Sequence, residues 1–439
     1  MPARCTTAWR LRVALALLAA SAAACGTPPR PDERTAPFAE RSTQPATGVV
    51  EEWVVTAASP IISSAQWDAD EVWEDGLEGS TLRQVVHSSI GGEAVRVTLS
   101  NRAGTAPLVV GAASVGVATE AAGSSAELQA GSLRALTFDG EPGVTVAPGE
   151  EVESDAAVVP VPADHDLAVN LSITAPTGRP NGARFSGQTS WRGDGDLVDD
   201  VTGKGFTETR TGLAYVAAVE VRAVNPDGAV VVFGDSKSDG GIAVAPDTEQ
   251  RWSDVLHARL VAAGRLGVGV ANASFMGATL LPRTNPTSGL ARFDQDVLAR
   301  SGVTTVIVAL GTNDLLGRTA EQIVAALAEL VDRGHAAGLR VVGTTVPPFA
   351  GTRTAGVCTD TEPPDMRREA TRLEVNRHLR GDGVEPLPFD AMVDFDAVLR
   401  DPDERGRILC RYSVFGLSHP NATGHAAMGA AIDLDALLP

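Results

Sequence analysis

Aromatic side chains are scarce in this chain: 2 Tyr, 6 Trp and 11 Phe make up only 4% of 439 residues. A core with so few rings must be aliphatic, and short Ala, Val and Leu runs are plentiful enough to build one. Cysteine is scarce too, four in all, which excludes a disulfide-dense mini-protein. Positive charge is in deficit, with 36 Lys and Arg against 55 Asp and Glu and a formal net charge of -19, spread along the sequence. Such a chain repels phosphate backbones, so nucleic acid is excluded as a partner class. Long apolar runs are missing as well. The apolar or small stretch from Val13 to Ala24 is shorter than the roughly 20 residues that a permanent membrane helix needs. What is present, 44% hydrophobic residues with 45 Gly and 27 Pro, excludes a wholly disordered, collagenous or coiled-coil protein, and the length predicts two domains.

Arg4, Arg10 and Arg12 ahead of that apolar stretch read as an export signal over residues 1–24. Ala22-Ala23-Ala24 suits ordinary signal peptidase. Cys25, followed by Gly26 and a Pro-rich polar segment, also resembles a bacterial lipoprotein signal, with Ala22 where Leu usually stands. Cys5 leaves with the signal, and Cys358 and Cys410 remain as a possible disulfide in an oxidising compartment. Acylation of Cys25 then accounts for the odd thiol and supplies a membrane anchor. The expected location is therefore outside the cytoplasm, as a cell-surface lipoprotein or a secreted protein. Residues 25–48, with Pro28, Pro29, Pro31, Pro37 and Pro45, read as a semi-extended tether.

Residues 49–226 alternate with period two, as in Val95-Arg96-Val97-Thr98-Leu99 and Leu167 to Ile173, with Gly/Pro/Asp-rich breaks between runs. This pattern predicts an antiparallel, jelly-roll-like β-sandwich. Trp53, Trp67, Trp73 and Trp191 all fall there. Stacking on sugar rings is one reading for them, and core or inter-domain packing is the favoured one. In residues 227–439 the period changes. Ala229–Phe233, Leu266–Val270, Val303–Leu310 and Arg340–Val346 are short, nearly continuous apolar runs separated by helical patterns, which predicts βαβ units on a buried parallel sheet. One helix places Trp252, Val255, Leu256 and Leu260 on one face. Another opens with the capping box Thr319-Ala320-Glu321-Gln322 and buries Ile323, Ala326, Leu327 and Leu330.

Gly234-Asp235-Ser236 stands where the first of these strands ends, the place where open α/β sheets gather ligands. The surroundings are not those of a G-x-S-x-G elbow, because Ser238 occupies the second position after Ser236. Three more segments follow in order: Asn272 to Leu281 with Gly277, then Gly311-Thr312-Asn313-Asp314, then His419-Pro420-Asn421 with Gly424 and His425. In this order and spacing they resemble the four blocks of the SGNH (GDSL) hydrolase family, over about Ala229 to Leu438. Arg292-Phe293-Asp294 and Phe389 to Asp396 are similar to connecting segments of actinobacterial members, in which a β-sandwich precedes the catalytic domain. The resemblance implies a flavodoxin-like three-layer α/β fold with a parallel sheet. It also implies Ser236 as nucleophile, His419 as general base, and an oxyanion hole of the Ser236 and Gly277 backbone N–H groups with the Asn313 side-chain amide.

The chemistry requires these types, since a hydroxyl is inert until an imidazole takes its proton and a tetrahedral intermediate needs neutral donors. Glycine at 277 is expected to allow close backbone approach. Taken singly, Ser236 also reads as a helix cap, Asn313 as a turn amide and His419 as a satisfied histidine; jointly they read as a site. His87, His165, His257, His335 and His378 show no partner pattern, and His425 reads as a helix residue. No metal-ligand spacing is visible, and no metal or cofactor is expected.

One position departs from the family pattern: Gly416 stands three residues before His419, where the family usually has Asp. A Ser-His dyad is therefore expected, with a backbone carbonyl holding the imidazole and with Asp390, Asp394 or Asp396 as alternative carboxylates. Asp239 and Asp314 read as loop formers. The implied function is hydrolysis of carboxylic esters through an acyl-enzyme, on an ester or acylated glycan and with short acyl or acetyl groups. The alternatives are acyl transfer to a sugar hydroxyl, or a non-catalytic surface binding module with a degraded site.

Overall fold

The computed structural model describes residues 49–63, 76–119, 125–241, 243–282, 287–349, 365–414 and 418–438. The signal, Cys25 and the tether lie outside these residues, as do Trp67, Trp73, Cys358 and Gly416.

Val49–Pro439 forms one compact unit. Its first part is antiparallel throughout. One sheet runs Glu51–Ala58, Val216–Val224, Gly92–Ser100 and Glu151–Glu153, with Ala157–Val161 also on Gly92–Ser100. The other centres on Ser80–Ser88, His165–Ile173 and Leu108–Val117. Alternation along these strands sends Val95, Val97, Leu99, Leu167, Val169 and Leu171 into a shared apolar layer. The expected solvated face is not solvated everywhere. Along His165–Ile173 every residue after His165 is buried, because loops cover the outer side and satisfy its polar groups. There Arg83, 0% exposed, donates to Asn170 Oδ1 at 2.7 Å and to the carbonyl of Ala126. Trp191 packs on the same side against Val85, Leu128 and Ala168, and Trp53 lies under the Arg96 guanidinium at 4.5 Å.

The second part is a five-stranded parallel sheet in the order Val268–Asn272, Gly228–Gly234, Val303–Ala309, Arg340–Thr344, Ala391–Val393. Counted within this part the order is 2-1-3-4-5, the flavodoxin-like arrangement. All seven residues of Gly228–Gly234 are buried, as a strand covered on both faces requires. Leu266 departs from its predicted strand: it is 59% exposed, and the strand starts at Val268. The capping box is present: the Thr319 side chain accepts from Gln322 N–H, and Gln322 Oε1 accepts from Thr319 N–H at 3.1 Å, opening the helix Ala320–Ala336.

The two parts share one core. Val54 and Val55 of the first strand are fully buried in the same apolar cluster as Ala229, Val231 and Ala271 of the parallel sheet. Polar ties reinforce the seam: Val55 N–H donates to Ser301 O at 2.9 Å, Ser301 N–H to Glu220 Oε1 at 2.9 Å, and Val270 N–H to Ser89 Oγ at 2.8 Å. Among the described residues no helix is long and apolar enough to cross a membrane.

Candidate active site

The chain leaves strand Gly228–Gly234 through Asp235, whose carboxylate accepts from Lys237 N–H at 2.9 Å and so caps a single helical turn, Ser236–Asp239. The cap is thus Asp235, and Ser236 is the first helical residue, its hydroxyl free for other work. The turn is stopped by Gly240 at φ 76°. Gly234 has to be glycine for space, since a Cβ there would meet Ser238 Oγ at 2.5 Å and Ser274 Oγ at 3.0 Å.

His419 arrives from the far end of the chain. Asn421 fixes the approach: it caps the helix Ala422–Ala430 by accepting from Gly424 N–H at 3.0 Å and donates to Arg411 O and Ser413 O at 3.0 and 3.1 Å. Val414 N–H donates to His419 O at 3.0 Å. The result is a 3.0 Å contact between His419 Nε2 and Ser236 Oγ, across 183 positions of sequence. Burial lowers His419 to about 3, helped by the nearby positive charge of Lys237 and by His425, so the ring is neutral at pH 7 and its Nε2 can accept the hydroxyl proton. His425 is fully buried, and its Nδ1 accepts from Trp252 N–H at 3.2 Å.

The two middle blocks are laced to this turn. Asn272 Nδ2 donates to Ser238 O at 2.9 Å, and Phe275 N–H points to Gly234 O at 3.4 Å. Gly277 is exposed with φ 80°, and a Cβ there would meet nothing within 4 Å. Its glycine therefore serves the left-handed backbone; the expected crowding is not the reason. Asn313 Nδ2 donates one hydrogen to Ala278 O at 2.8 Å, which orients the amide and leaves its second hydrogen for a ligand. Asp314 accepts from Leu280 N–H and Leu281 N–H at 2.8 and 2.9 Å, and Asp239 accepts from Gly241 N–H at 2.8 Å. Both carboxylates shape loops.

None of the three alternative carboxylates is directed to His419. Asp390 accepts from Val341 N–H at 2.7 Å and meets His335 Nε2 at 2.9 Å. Asp394 meets Thr345 Oγ1 at 2.8 Å and Arg380 at 2.7 Å, and Asp396 meets Arg372 and Arg380, each at 2.6 Å. Among the described residues no carboxylate pairs with His419. No triple of metal-ligating atoms converges on Ser236 and His419 there either.

Arg292 plays a part that its sequence position only hinted at. It is 6% exposed, donates to Ala273 O at 2.8 Å and Asp296 Oδ2 at 2.6 Å, and lies over Phe233 at 4.2 Å and Phe275 at 4.7 Å. It thereby ties together, from beneath, the ends of the strands that carry the first two blocks. The likeness of Arg292-Phe293-Asp294 to a connecting segment marks the position, but neither its burial nor its partners can be read from it.

Residues 232–427 match the family model described as GDSL-like lipase/acylhydrolase. Comparison with curated proteins returns no match. Among solved structures the chain is similar to a carbohydrate acetylesterase from Sinorhizobium meliloti, at 19% identity over 46% of this chain and 95% of that one, TM-score 0.33. It is similar to a lipase/acylhydrolase from Enterococcus faecalis at 20% identity over 46% and 92%, TM-score 0.33. It is also similar to a GDSL-like lipase from Bacteroides thetaiotaomicron at 16% identity over 48% and 88%, TM-score 0.33. The parallel-sheet part of this chain, joined to an antiparallel sandwich through a common core, carries a GDSL-like lipase/acylhydrolase domain over residues 232–427.

Proposed function

We propose that the protein hydrolyses carboxylic esters through an acyl-enzyme on Ser236, with His419 as general base and then general acid. The observation that carries this reading is the 3.0 Å contact of a neutral imidazole with Ser236 Oγ at the carboxyl end of a parallel strand. In the first step Nε2 takes the hydroxyl proton as Oγ bonds to the ester carbonyl carbon. The oxyanion is met by the N–H groups of Ser236 and Gly277 and the second Asn313 hydrogen. Collapse expels the alcohol, which takes the proton from His419. Water, deprotonated by the same ring, then releases the acid.

The substrates proposed are short acyl or acetyl esters on a glycan or small molecule, met outside the cytoplasm by a protein exported through residues 1–24 and anchored by acylated Cys25. A charge of -19 disfavours polyanionic substrates and is compatible with neutral acylated sugars. A Cys358–Cys410 disulfide belongs to the same proposal. Cys410 opens the short turn Cys410–Tyr412, whose Tyr412 carbonyl accepts from Asn421 N–H at 2.7 Å, so a bridge there would steady the His419 segment.

The test is a series of p-nitrophenyl esters of rising chain length together with fluorophosphonate labelling. Turnover highest on the shortest acyl chains, with the label on Ser236, is the expected result. Labelling that survives Ser236→Ala would place the nucleophile elsewhere, and a preference for long chains would overturn the substrate assignment.

A further inference from the structure

At the seam between the two halves, away from Ser236, three chain segments bring nitrogen and oxygen donors to one point. His87 comes from strand Ser80–Ser88, Asp164 from the turn before His165–Ile173, and His257 from helix Trp252–Ala262. His87 Nε2 stands 3.2 Å from Asp164 Oδ1, and His257 Nε2 stands 3.3 Å from the same oxygen. His257 is 5% exposed; its Nδ1 has no hydrogen-bond partner, and its Nε2 meets the Asp164 carboxylate alone. Two buried or half-buried imidazoles thus converge on one carboxylate oxygen, an arrangement of donors that a cation can share. On its other side His87 Nδ1 lies 3.0 Å from Asp166 Oδ1, and Asp166 is 1% exposed.

We propose that His87, His257 and Asp164 bind a divalent transition-metal ion of the zinc class, with Asp166 orienting His87 and with water completing the site. The edges decide this. Zinc bonds of about 2.0–2.1 Å to imidazole nitrogen and carboxylate oxygen place tetrahedral ligand atoms about 3.3–3.4 Å apart, close to the 3.2 and 3.3 Å that separate the two imidazoles from Asp164 Oδ1. The three ligand atoms all lie within 4.8 Å of one another. Asp166 on the far nitrogen of His87 completes the carboxylate–histidine–metal pattern of such sites. Two imidazoles select zinc, cobalt or nickel over calcium or magnesium. The Asp164 side chain is 62% exposed, so an ion can enter and keep a water there.

The ion would act as a clamp. Its ligands join the antiparallel half to the helix whose first residue, Trp252, donates through Nε1 to Ser238 Oγ at 3.2 Å in the turn that carries Ser236. The rival is that His87 itself supplies the cation. Without a metal, burial pulls its pKa down, but the hydrogen bond and charge of Asp166 with the charges of Glu249 and Asp254 outweigh this and bring it to about 9. The rival explains His257 Nε2 as a donor to Asp164 and predicts no metal affinity.

The test uses the tag-free full chain, stripped with EDTA and dialysed, then titrated with Zn²⁺ by calorimetry and followed by thermal unfolding with and without Zn²⁺. One ion per chain and a raised Tm are expected. His257→Gln and Asp164→Asn should each weaken binding at least a hundredfold, and Asp166→Asn by about 10–100-fold. His335→Ala, at the exposed His335–Asp390 pair, should leave binding unchanged. If His257→Gln fails to fold, Asp164→Asn decides, since its side chain lies at the surface. No heat and no Tm shift in the wild type would overturn the proposal, as would binding that persists in Asp164→Asn or that disappears with His335→Ala.

Discussion

His419 beside Ser236 and His87 at the seam are both largely withdrawn from water, yet their surroundings move them in opposite directions. Around His419 the described neighbours are a hydroxyl, the cation of Lys237 and another neutral imidazole, and burial takes the ring to about 3. Around His87 stand Asp164, Asp166 and Glu249, and carboxylates overcome burial to raise the ring to about 9. The same residue type is kept as a free base in one region and surrounded by anionic donors in the other. A general base near a nucleophile has to stay unprotonated, and excluding carboxylates is one way to keep it so, at the expense of the help a third member gives to the imidazolium in the transition state.

The largest effect should come from removing either member of the pair. Ser236→Ala and His419→Ala are each expected to lower ester turnover by on the order of 10⁴ or more and to abolish fluorophosphonate labelling. His87→Gln, by contrast, should leave labelling intact. Labelling lost in His87→Gln but kept in His419→Ala would reverse the roles of the two regions. Next in size is Asn313→Ala, expected to lower kcat by on the order of 10²–10³ with little change in Tm, as loss of an oxyanion donor does. A loss under tenfold would leave Asn313 only its bond to Ala278 O.

Smaller still in turnover is a scan of the three alternative carboxylates. Asp390→Asn, Asp394→Asn and Asp396→Asn should each keep kcat/KM within about tenfold of wild type, because all three are engaged by other partners. Asp396→Asn should instead destabilise the fold, by on the order of 3 kcal/mol in a denaturant titration, since it uncouples the fully buried Arg372. A collapse of turnover at one of them with the fold intact would show that a carboxylate does serve His419.

The sequence carried the parallel sheet and the four blocks because both are written locally, in continuous apolar runs and in residue types at strand ends. It carried the helix Ala320–Ala336 for the same reason, through its capping box. The last strand, Ala391–Val393, is only three residues long and gives no run to read. The burial of Arg83, Asn170 and Asp166 was not legible either, since loops from distant sequence cover a face that alternation alone would leave wet. The seam cluster fails most clearly. His87 and His257 are 170 positions apart, and their ring centroids come within 6.0 Å only once both halves are packed on one core. No spacing rule for metal ligands applies to such a pair, whereas Ser236 and His419, equally remote from each other, are signalled by the blocks around them.

The smallest expected effect is in the pH profile. A histidine base of ordinary pKa near 6.5 would lose about 25-fold in kcat/KM between pH 7 and pH 5, because protonation removes the acceptor at Nε2. With His419 at about 3, the ring stays neutral over that range and the rate should change by less than about twofold. Asp239 titrates in the same window, raised by burial to about 7 against the pull of Gly241 N–H, so Asp239→Asn should be measured alongside the wild type. Stability carries the matching sign for the two buried histidines. Their folded pKa values, about 3 for His419 and about 4 for His425, lie below the unfolded value, so between those values and pH 6.5 the unfolded chain binds more protons. Their contribution is present above pH 6.5 and is lost as pH falls. Asp239, raised above its unfolded value, acts oppositely and loses its contribution as pH rises toward 7. In Asp239→Asn the slope that remains should therefore be a fall in Tm on acidification, with His425→Asn reducing that fall while the rate stays flat. A kcat/KM limb near pH 6.5 that persists in Asp239→Asn would mean that His419 is protonated at ordinary pH, and the contrast between the two histidines would not hold.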